Sequence, residues 1–320
     1  MDGGRKPGSM FCRGVPRRKT QHRPTRGLVA RSGRRTFDGG GKLALCIKDL
    51  LTRASLKLAD SPSARFDAEI LLAHALECTR SFLYANPELE LPHFRCESFR
   101  KMVKLRAQGH PVAYLTESSE FWSLPLKVNP DVLIPRPDTE LLVEAALEKI
   151  PAGADWRIAD LGTGSGAVAL AISSERKKCE VHATDNSAAA LDIARENAAL
   201  LNLPDVHCHH GSWVSPLKGK FHVVVSNPPY IGGDDPHLDR GDLRFEPRSA
   251  LTPGDDGLTA IRTISLLVFP ILLEGGWLMF EHGWEQGDGT REIMEAAGFI
   301  NVATLQDLQG HDRVTVGEKP

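Results

Sequence analysis

Apolar residues recur at intervals of three and four from Leu43 to about Ala107. Leu43, Ile47, Leu50, Leu51, Ala54 and Leu58 form one stripe, Ser61-Pro62-Ser63 interrupts it, and Ala64 to Leu76 resumes it with Ile70, Leu71 and Leu72. That spacing puts the apolar side chains on one face of successive helices and predicts a small helical domain. The texture changes over Glu120 to Leu133, EFWSLPLKVNPDVL. There Phe121, Leu124, Leu126 and Val128 alternate with turn residues, as a hairpin linking two domains would.

From Arg136 onward short apolar runs alternate with helical stripes. Strands are predicted at 157–161, 181–184, near Val206, and at 221–226, 277–281 and 313–316. Helices are predicted at 138–149 after Arg136-Pro137, and at 167–174, 188–201, 258–273 and 291–297, with Ser187 placed to cap the third. Strands and helices alternating at these lengths require a mainly parallel sheet with helices on both faces. Ligands of such sheets sit at the carboxyl ends of the strands, at the switch point. The expected organisation is a tail over 1–40, a helical domain over 41–117, a hairpin junction over 118–134 and an α/β domain over 135–320.

Charge separates the tail from the body. Residues 1–40 carry 11 basic against two acidic side chains, whereas the remainder carries 28 basic against 39 acidic. A Gly-, Pro- and Arg-rich tail without apolar periodicity reads as disordered; an RNA-attracting arm and an organellar transit peptide are the sharper alternatives. The acidic body argues against a large phosphate-binding surface. No run of 18 apolar residues appears, so no membrane span is expected, and a cytoplasmic protein is, with a mitochondrial one as the alternative should the tail be a transit peptide. Six cysteines without a C-x-x-C pair fit reduced thiols better than disulfides or a zinc site.

The chemistry-bearing residues fall at predicted strand ends. Asp160-Leu161-Gly162-Thr163-Gly164-Ser165-Gly166 runs from a strand into a helix, where glycines let backbone approach a nucleotide-like ligand and the helix start offers unpaired N–H groups. One strand later Asp185 is placed to accept hydrogen bonds from ribose hydroxyls, or to assist Ser187 in capping a helix. Trp213 after the third strand is expected to stack on adenine, or to plug an edge. His207, Cys208, His209 and His210 alternate faces if they form a strand, so no metal site is expected. In Val223 to Tyr230, VVVSNPPY, a buried strand stops at two prolines. Asn227 and the Pro228 carbonyl offer two acceptors on a stiff frame, Pro229 fixes the turn and Tyr230 adds a flat wall. Such a frame holds an NH₂ group by both hydrogens, aims its lone pair at a methyl donor and favours the positive charge developing on nitrogen. The tetrapeptide alone admits an adenine amine or a glutamine amide.

The spacing of Gly162, Gly164 and Gly166 behind Asp160 resembles the motif of S-adenosylmethionine-dependent methyltransferases. With Asn-Pro-Pro-Tyr, the segment Phe121 to Leu124, VNPDVLIPRPDTELLVE (Val128 to Glu144), FEPRSALTPGDDGL (Phe245 to Leu258) and DLQGHDRVTVG, the chain is similar to the peptide chain release factor glutamine methyltransferases, the PrmC or HemK family. The likeness covers about Leu43 to Gly317. It implies an α/β fold: a doubly wound, mainly parallel, seven-stranded Rossmann-like methyltransferase sheet preceded by a small helical domain.

By the same resemblance, S-adenosylmethionine methylates the amide nitrogen (N5) of the glutamine in the Gly-Gly-Gln motif of a release factor, which the helical domain recognises. Asn227 and Pro228 would hold the amide, Pro229 and Tyr230 would pack against it, and Gly162, Thr163, Gly164, Ser165, Gly166, Asp185, Trp213 and Asn227 would bind the cofactor. Arg136, Thr139 and Glu140 would lie near the cofactor entrance or start a helix, and a Glu246–Arg248 pair would brace the substrate loop. A monomer is expected, without a stable nucleic-acid complex or membrane contact. An adenine N6-methyltransferase of DNA or RNA and a non-catalytic, cofactor-bound interaction module are the alternatives. Tyr114-Leu115-Thr116-Glu117 departs from the family, which usually has a glycine there. Removing residues 1–40, outside the likeness, is expected to leave activity in vitro unchanged; loss of cofactor binding by the shortened chain would place the tail in the fold.

Overall fold

The computed structural model describes residues 45–320, apart from Asp255 and the side chain of His237; the basic tail and Leu43 lie outside the described residues. The first region is helical. Strand β1 (Leu45–Cys46) pairs antiparallel with β2 (Glu90–Leu91). Around this pair lie α1 (Ile47–Lys57), α2 (Ala64–Ala75), α3 (Arg80–Ala85), α4 (Glu97–Arg106) and α5 (Val112–Thr116). The stripe read from the sequence is the buried one: Ile47, Leu50, Leu51, Ala54 and Leu58 meet Leu71, Leu72, Phe99 and Val103 in a core of their own. Each such Leu, Ile, Val or Phe side chain contributes about 1.5–3 kcal/mol when fully buried.

Helix α5 ends at Glu117, whose φ of 52° is left-handed. A hairpin follows, β3 (Ser118–Phe121) and β4 (Leu124–Lys127), shorter than the expected span at its far end. Trp122 and Ser123 form its two-residue turn with φ of 52° and 56°, the conformation that suits the twist of antiparallel strands. Beyond it the chain turns at 129–132, where the Val132 N–H donates to Asn129 O (3.2 Å), and Val128 and Val132 pack on α8 (Ala188–Leu201) through Ala190 and Ile193.

The second region is the sheet. Its elements are α6 (Glu140–Lys149), β5 (Arg157–Leu161), α7 (Ala167–Glu175), β6 (Glu180–Asp185), α8, β7 (Val206–His210), β8 (Phe221–Ser226), α9 (Arg248–Leu251), α10 (Thr259–Val268), β9 (Leu272–Glu281), α11 (Gly287–Ala296), β10 (Ile300–Gln306) and β11 (Asp312–Glu318). The strand order is β10-β11-β9-β8-β5-β6-β7, with β11 antiparallel to both its neighbours and the five strands from β9 to β7 parallel. Alternate residues face opposite layers: Ile158, Val223, Val225 and Met279 pack under α6 and α7, while Ala159, Val224, Leu278 and Phe280 pack under α10 and α11. The chain builds β5, β6 and β7 outward, then returns across β5 to lay down β8. The switch point therefore lies between the carboxyl ends of β5 and β8.

Three elements differ from expectation. Strand β10 had no clear signal, since it is a bulged edge strand with mostly solvated side chains. Helix α10 stops at Val268 rather than continuing to 273, because Pro270 brings no N–H to the ladder; Leu272 and Leu273 instead open β9. The expected Glu246–Arg248 brace does not form. Glu246 pairs with Arg136 across the junction at 2.5 Å, and Arg248 pairs with Asp239 at 3.0 Å. The separation arises because Glu246 is buried and turned toward the Ile134 backbone, whereas Arg248 opens the short helix α9 in solvent.

The loop from 231 to 258 is also tied to the helical region. Arg106 at the end of α4 holds Asp67 at 2.8 Å and Asp242 at 2.9 Å, and Arg244 donates to Gln108 O. Glu117 sits where a glycine is favoured, and its side chain is exposed. Glu117→Gly is expected to raise stability by about 0.5–1 kcal/mol, the release of left-handed strain less the added freedom of the unfolded chain. A higher urea midpoint at unchanged slope checks this.

Candidate active site

The site begins at a hydrogen bond inside the sheet. Ser226 Oγ, at the end of β8, donates to Leu161 O at the end of β5 (2.7 Å), so Gly162 and Asn227 leave the sheet side by side. After Leu161 the turn is fixed from both sides. Gly162 and Thr163 both donate their N–H to Thr184 O (2.9 Å each), and Thr163 Oγ1 donates to Asp160 Oδ2 (2.6 Å). Asp160, fully buried, also accepts the Ala169 N–H from α7 (3.2 Å). Burial pushes its carboxyl up to about 6, against the pull of these two donors. Asp160 thus staples strand, loop and helix together rather than facing a ligand.

Two glycines of the loop have separate jobs. Gly164 has a φ of 55°, and a Cβ there would meet nothing within 4 Å, so its bare face is open to the cavity. Gly166, with a φ of 84°, lies against α8, and a Cβ would come within 3.3 Å of the Ala194 methyl. Asp185, at the end of β6, accepts the Gly164 N–H on Oδ2 (2.9 Å) and the Ser187 N–H on Oδ1 (2.8 Å). Its carboxylate is thereby held in one orientation with lone pairs to spare on both oxygens. Ser187 caps α8 by accepting the Ala190 N–H (3.1 Å).

Gly162, Gly164, Asp185, Trp213, Asn227 and Pro229 line one cavity of about 520 Å³. Trp213 has a left-handed φ of 48° and lays its ring against Gly162. Thr163 and Ser165 are buried, Thr163 with its hydroxyl turned in to Asp160, and Gly166 is spent on helix packing. Pro228 is buried, and Tyr230 directs its hydroxyl away to Glu281 Oε1 (3.2 Å). Of the residues expected at the entrance, Thr139 is buried and its Oγ1 accepts the Asn227 Nδ2 hydrogen (3.2 Å). Glu140 instead accepts the Trp122 N–H (2.9 Å), and Arg136 holds Glu246. Asn227 Oδ1 accepts no hydrogen bond among the described residues.

Sequence reasoning used the segments that hold residues 130–133 and Pro247, Ser249 and Ala250 as marks of the family without placing them at the cavity, which they close, and passed over Glu281 behind it. The signal for Glu281 was present: a lone acid at the carboxyl end of the buried run Leu278-Met279-Phe280, as Asp185 is on its own strand. The histidines of β7 lie beside one on β6. His207 and His209 share a face with His182, but the Arg157 guanidinium stands 3.1 Å from His182 Nε2, and no metal-binding cluster occurs among the described residues. No helix among the described residues is long and apolar enough to cross a membrane.

Two family models match the chain, the PrmC N-terminal domain over residues 49–116 and the methyltransferase small domain over residues 137–242. A release factor glutamine methyltransferase of Xylella fastidiosa (strain 9a5c) is 50% identical over 268 residues, 83% of this chain and 98% of the relative. The chain belongs to the release factor glutamine methyltransferase family. The Escherichia coli (strain K12) member is 45% identical over 83% of this chain and 96% of its own length. A solved protein-(glutamine-N5) methyltransferase (release factor-specific) from Alicyclobacillus acidocaldarius is 30% identical, with a TM-score of 0.38 over 61% of this chain and 100% of that one.

The methyl donor of this family of methyltransferases is S-adenosylmethionine. The residues present fit it: an open-faced glycine at the end of one strand, an oriented carboxylate at the end of the next, and a cavity of the volume that such ligands occupy. Asp185→Ala would remove the carboxylate and release the Gly164 and Ser187 N–H groups together. Donor affinity measured by calorimetry is expected to fall at least about tenfold, the equivalent of one lost charge-assisted hydrogen bond.

Proposed function

We propose that the chain transfers a methyl group from S-adenosylmethionine to the side-chain amide nitrogen (N5) of the glutamine in the Gly-Gly-Gln motif of peptide chain release factors. The observation that carries this reading is Asn227, which lines the cavity beside the glycine loop with Oδ1 unoccupied, in a chain half identical to a methyltransferase of that name. Gly162, Gly164, Asp185 and Trp213 hold the donor, and the backbone of Thr163, Ser165 and Gly166 shapes the turn that presents them. When bound, the donor supplies a methyl group already activated on a sulfonium.

The acceptor needs more help, because an amide nitrogen shares its lone pair with its carbonyl. Asn227 Oδ1 and Pro228 O take the two amide hydrogens, which draws density back onto nitrogen and favours its positive charge as the N–C bond forms. Pro229 and Tyr230 stiffen and wall the acceptor side. Holding the nitrogen in line supplies about 7–11 kcal/mol of the barrier reduction. One N–H proton then leaves to solvent.

The acidic excess over residues 41–320 favours a protein substrate over nucleic acid. The chain is read as a monomer acting in the cytoplasm, where release factors work. The helical region, tied to the loop after Tyr230 through Arg106, is the surface for the release factor. Purified protein, labelled donor and either a release factor or nucleic acid test the reading. Label is expected on the release factor; label on DNA or RNA alone would establish the adenine alternative, and no label on either would leave a binding module. Asn227→Ala is expected to lower kcat by about 10²–10³-fold while donor affinity stays near wild type. A near wild-type rate would sink the amide clamp.

A further inference from the structure

Behind the acceptor frame lies a carboxyl group that the scheme above does not use. Glu281 ends β9 beside β8, one residue past the last pair, Ser226 with Phe280, as Asn227 is one residue past it on the other strand. It is 1% exposed. Tyr230 Oη donates to its Oε1 at 3.2 Å, the Thr139 hydroxyl stabilises the same carboxylate, and Oε2 has no further partner. Thr139 Oγ1 in turn accepts the Asn227 Nδ2 hydrogen. A buried acid is thus connected to both side chains expected to hold the substrate.

The connection has a polarity. An ionised carboxylate accepts only, so a hydroxyl facing it must donate to it. Thr139 has one hydrogen; the field of the ionised carboxylate, which the hydroxyl stabilises, turns that hydrogen toward Glu281, and the oxygen is left to accept. Asn227 must then turn its NH₂ to Thr139 and its Oδ1 outward, which is the orientation that receives an amide N–H. With the opposite polarity Asn227 would present NH₂ to an NH₂ group, and the clamp would repel its substrate.

Resting on the proposed acceptor site, we propose that Glu281 is a positioning residue: ionised, it sets the hydrogen-bond direction through Thr139 that points Asn227 Oδ1 at the substrate amide, and it anchors the Tyr230 hydroxyl. Protonated, Glu281 can donate to either hydroxyl, and the polarity of the chain is lost. The charged groups that face it are Arg313 on β11, which pairs with Asp138 at 3.2 Å, and Asp138 itself; Tyr230 is the other titratable group. The next residue, His282, turns its ring to Thr315 and to Gly283 O instead. Burial pushes the Glu281 carboxyl up to about 7, against the pull of Thr139, Tyr230 and Arg313, so the switch falls in the neutral range.

The experiment measures kcat against pH for wild type, Glu281→Gln, Thr139→Val and Thr139→Ser with a release factor and labelled donor. Wild-type kcat is expected to fall as pH drops through about 7, the range set by the Glu281 carboxyl. Glu281→Gln should be about 10- to 100-fold slower on the plateau, the loss that follows removal of an orienting partner, with that limb gone and donor KM unchanged. Thr139→Val should lose a similar factor, and Thr139→Ser should recover it. Thermal midpoints supply a readout independent of any substrate. Because the folded carboxyl is raised above its unfolded range, wild type should lose stability relative to Glu281→Gln as pH rises from about 5 to 8. A Glu281→Gln enzyme with wild-type kcat and the same acidic limb would overturn the inference while leaving the site reading intact. A midpoint difference independent of pH would overturn it too, and a wild-type enzyme inert toward release factors would end both.

Discussion

Everything at this site depends on the parallel pairing of β5 with β8 at the centre of the sheet. Their last residues, Leu161 and Ser226, lie in register and share the Ser226 hydroxyl, so two chain segments more than sixty residues apart diverge from one point. The hydrophobic layers above and below make that register costly to change: a slip of one residue would turn Val223 and Val225 out of the layer under α6 and α7 and Val224 out of the layer under α10 and α11, so that neither face would pack as it does. What the glycine loop offers and what Asn227 offers are therefore held at a fixed separation by the core, not by the loops. Asp160 extends the same logic upward, because one buried carboxyl connects the strand, the turn and the first residues of α7.

Much of this was legible in the sequence because it is written in local chemistry. Val223 to Ser226 reads as a buried strand, Pro228 and Pro229 end it, Ser187 announces α8, and the structure places β5, β8 and α8 at the same residues the pattern does. The unread parts are those whose meaning is purely tertiary. An edge strand such as β10 carries no strict alternation because solvent covers most of it. The partner of Glu246 is Arg136, 110 residues away, and proximity in sequence to Arg248 pointed elsewhere. Thr139 looked like part of a helix start, and only the fold brings it against Asn227. Thr163 and Ser165 belong to the glycine motif by spacing, yet both are buried, and the Thr163 hydroxyl is held by Asp160.

The site combines two kinds of order. The donor side is built of backbone turned by glycine and stabilised by N–H groups, which suits a ligand approached closely by main chain. The acceptor side is built of rigid prolines and a buried polar network, which suits a weak nucleophile that must be oriented rather than deprotonated. A network of this kind stabilises only when each member is satisfied, and the orphaned Oε2 of Glu281 marks where it is finely balanced.

The ion pairs that Arg106 makes with Asp67 and Asp242, and Arg136 with Glu246, bear on entropy as well as geometry. They divide the long excursion between β8 and α10 into shorter spans closed at both ends. Each closure is made when the chain folds, and the freedom it removes is no longer available to be lost when a protein partner arrives. A surface stiffened in this way can recognise its partner by shape without refolding around it, and methylation of one glutamine among many then becomes a matter of which glutamine can reach a fixed opening.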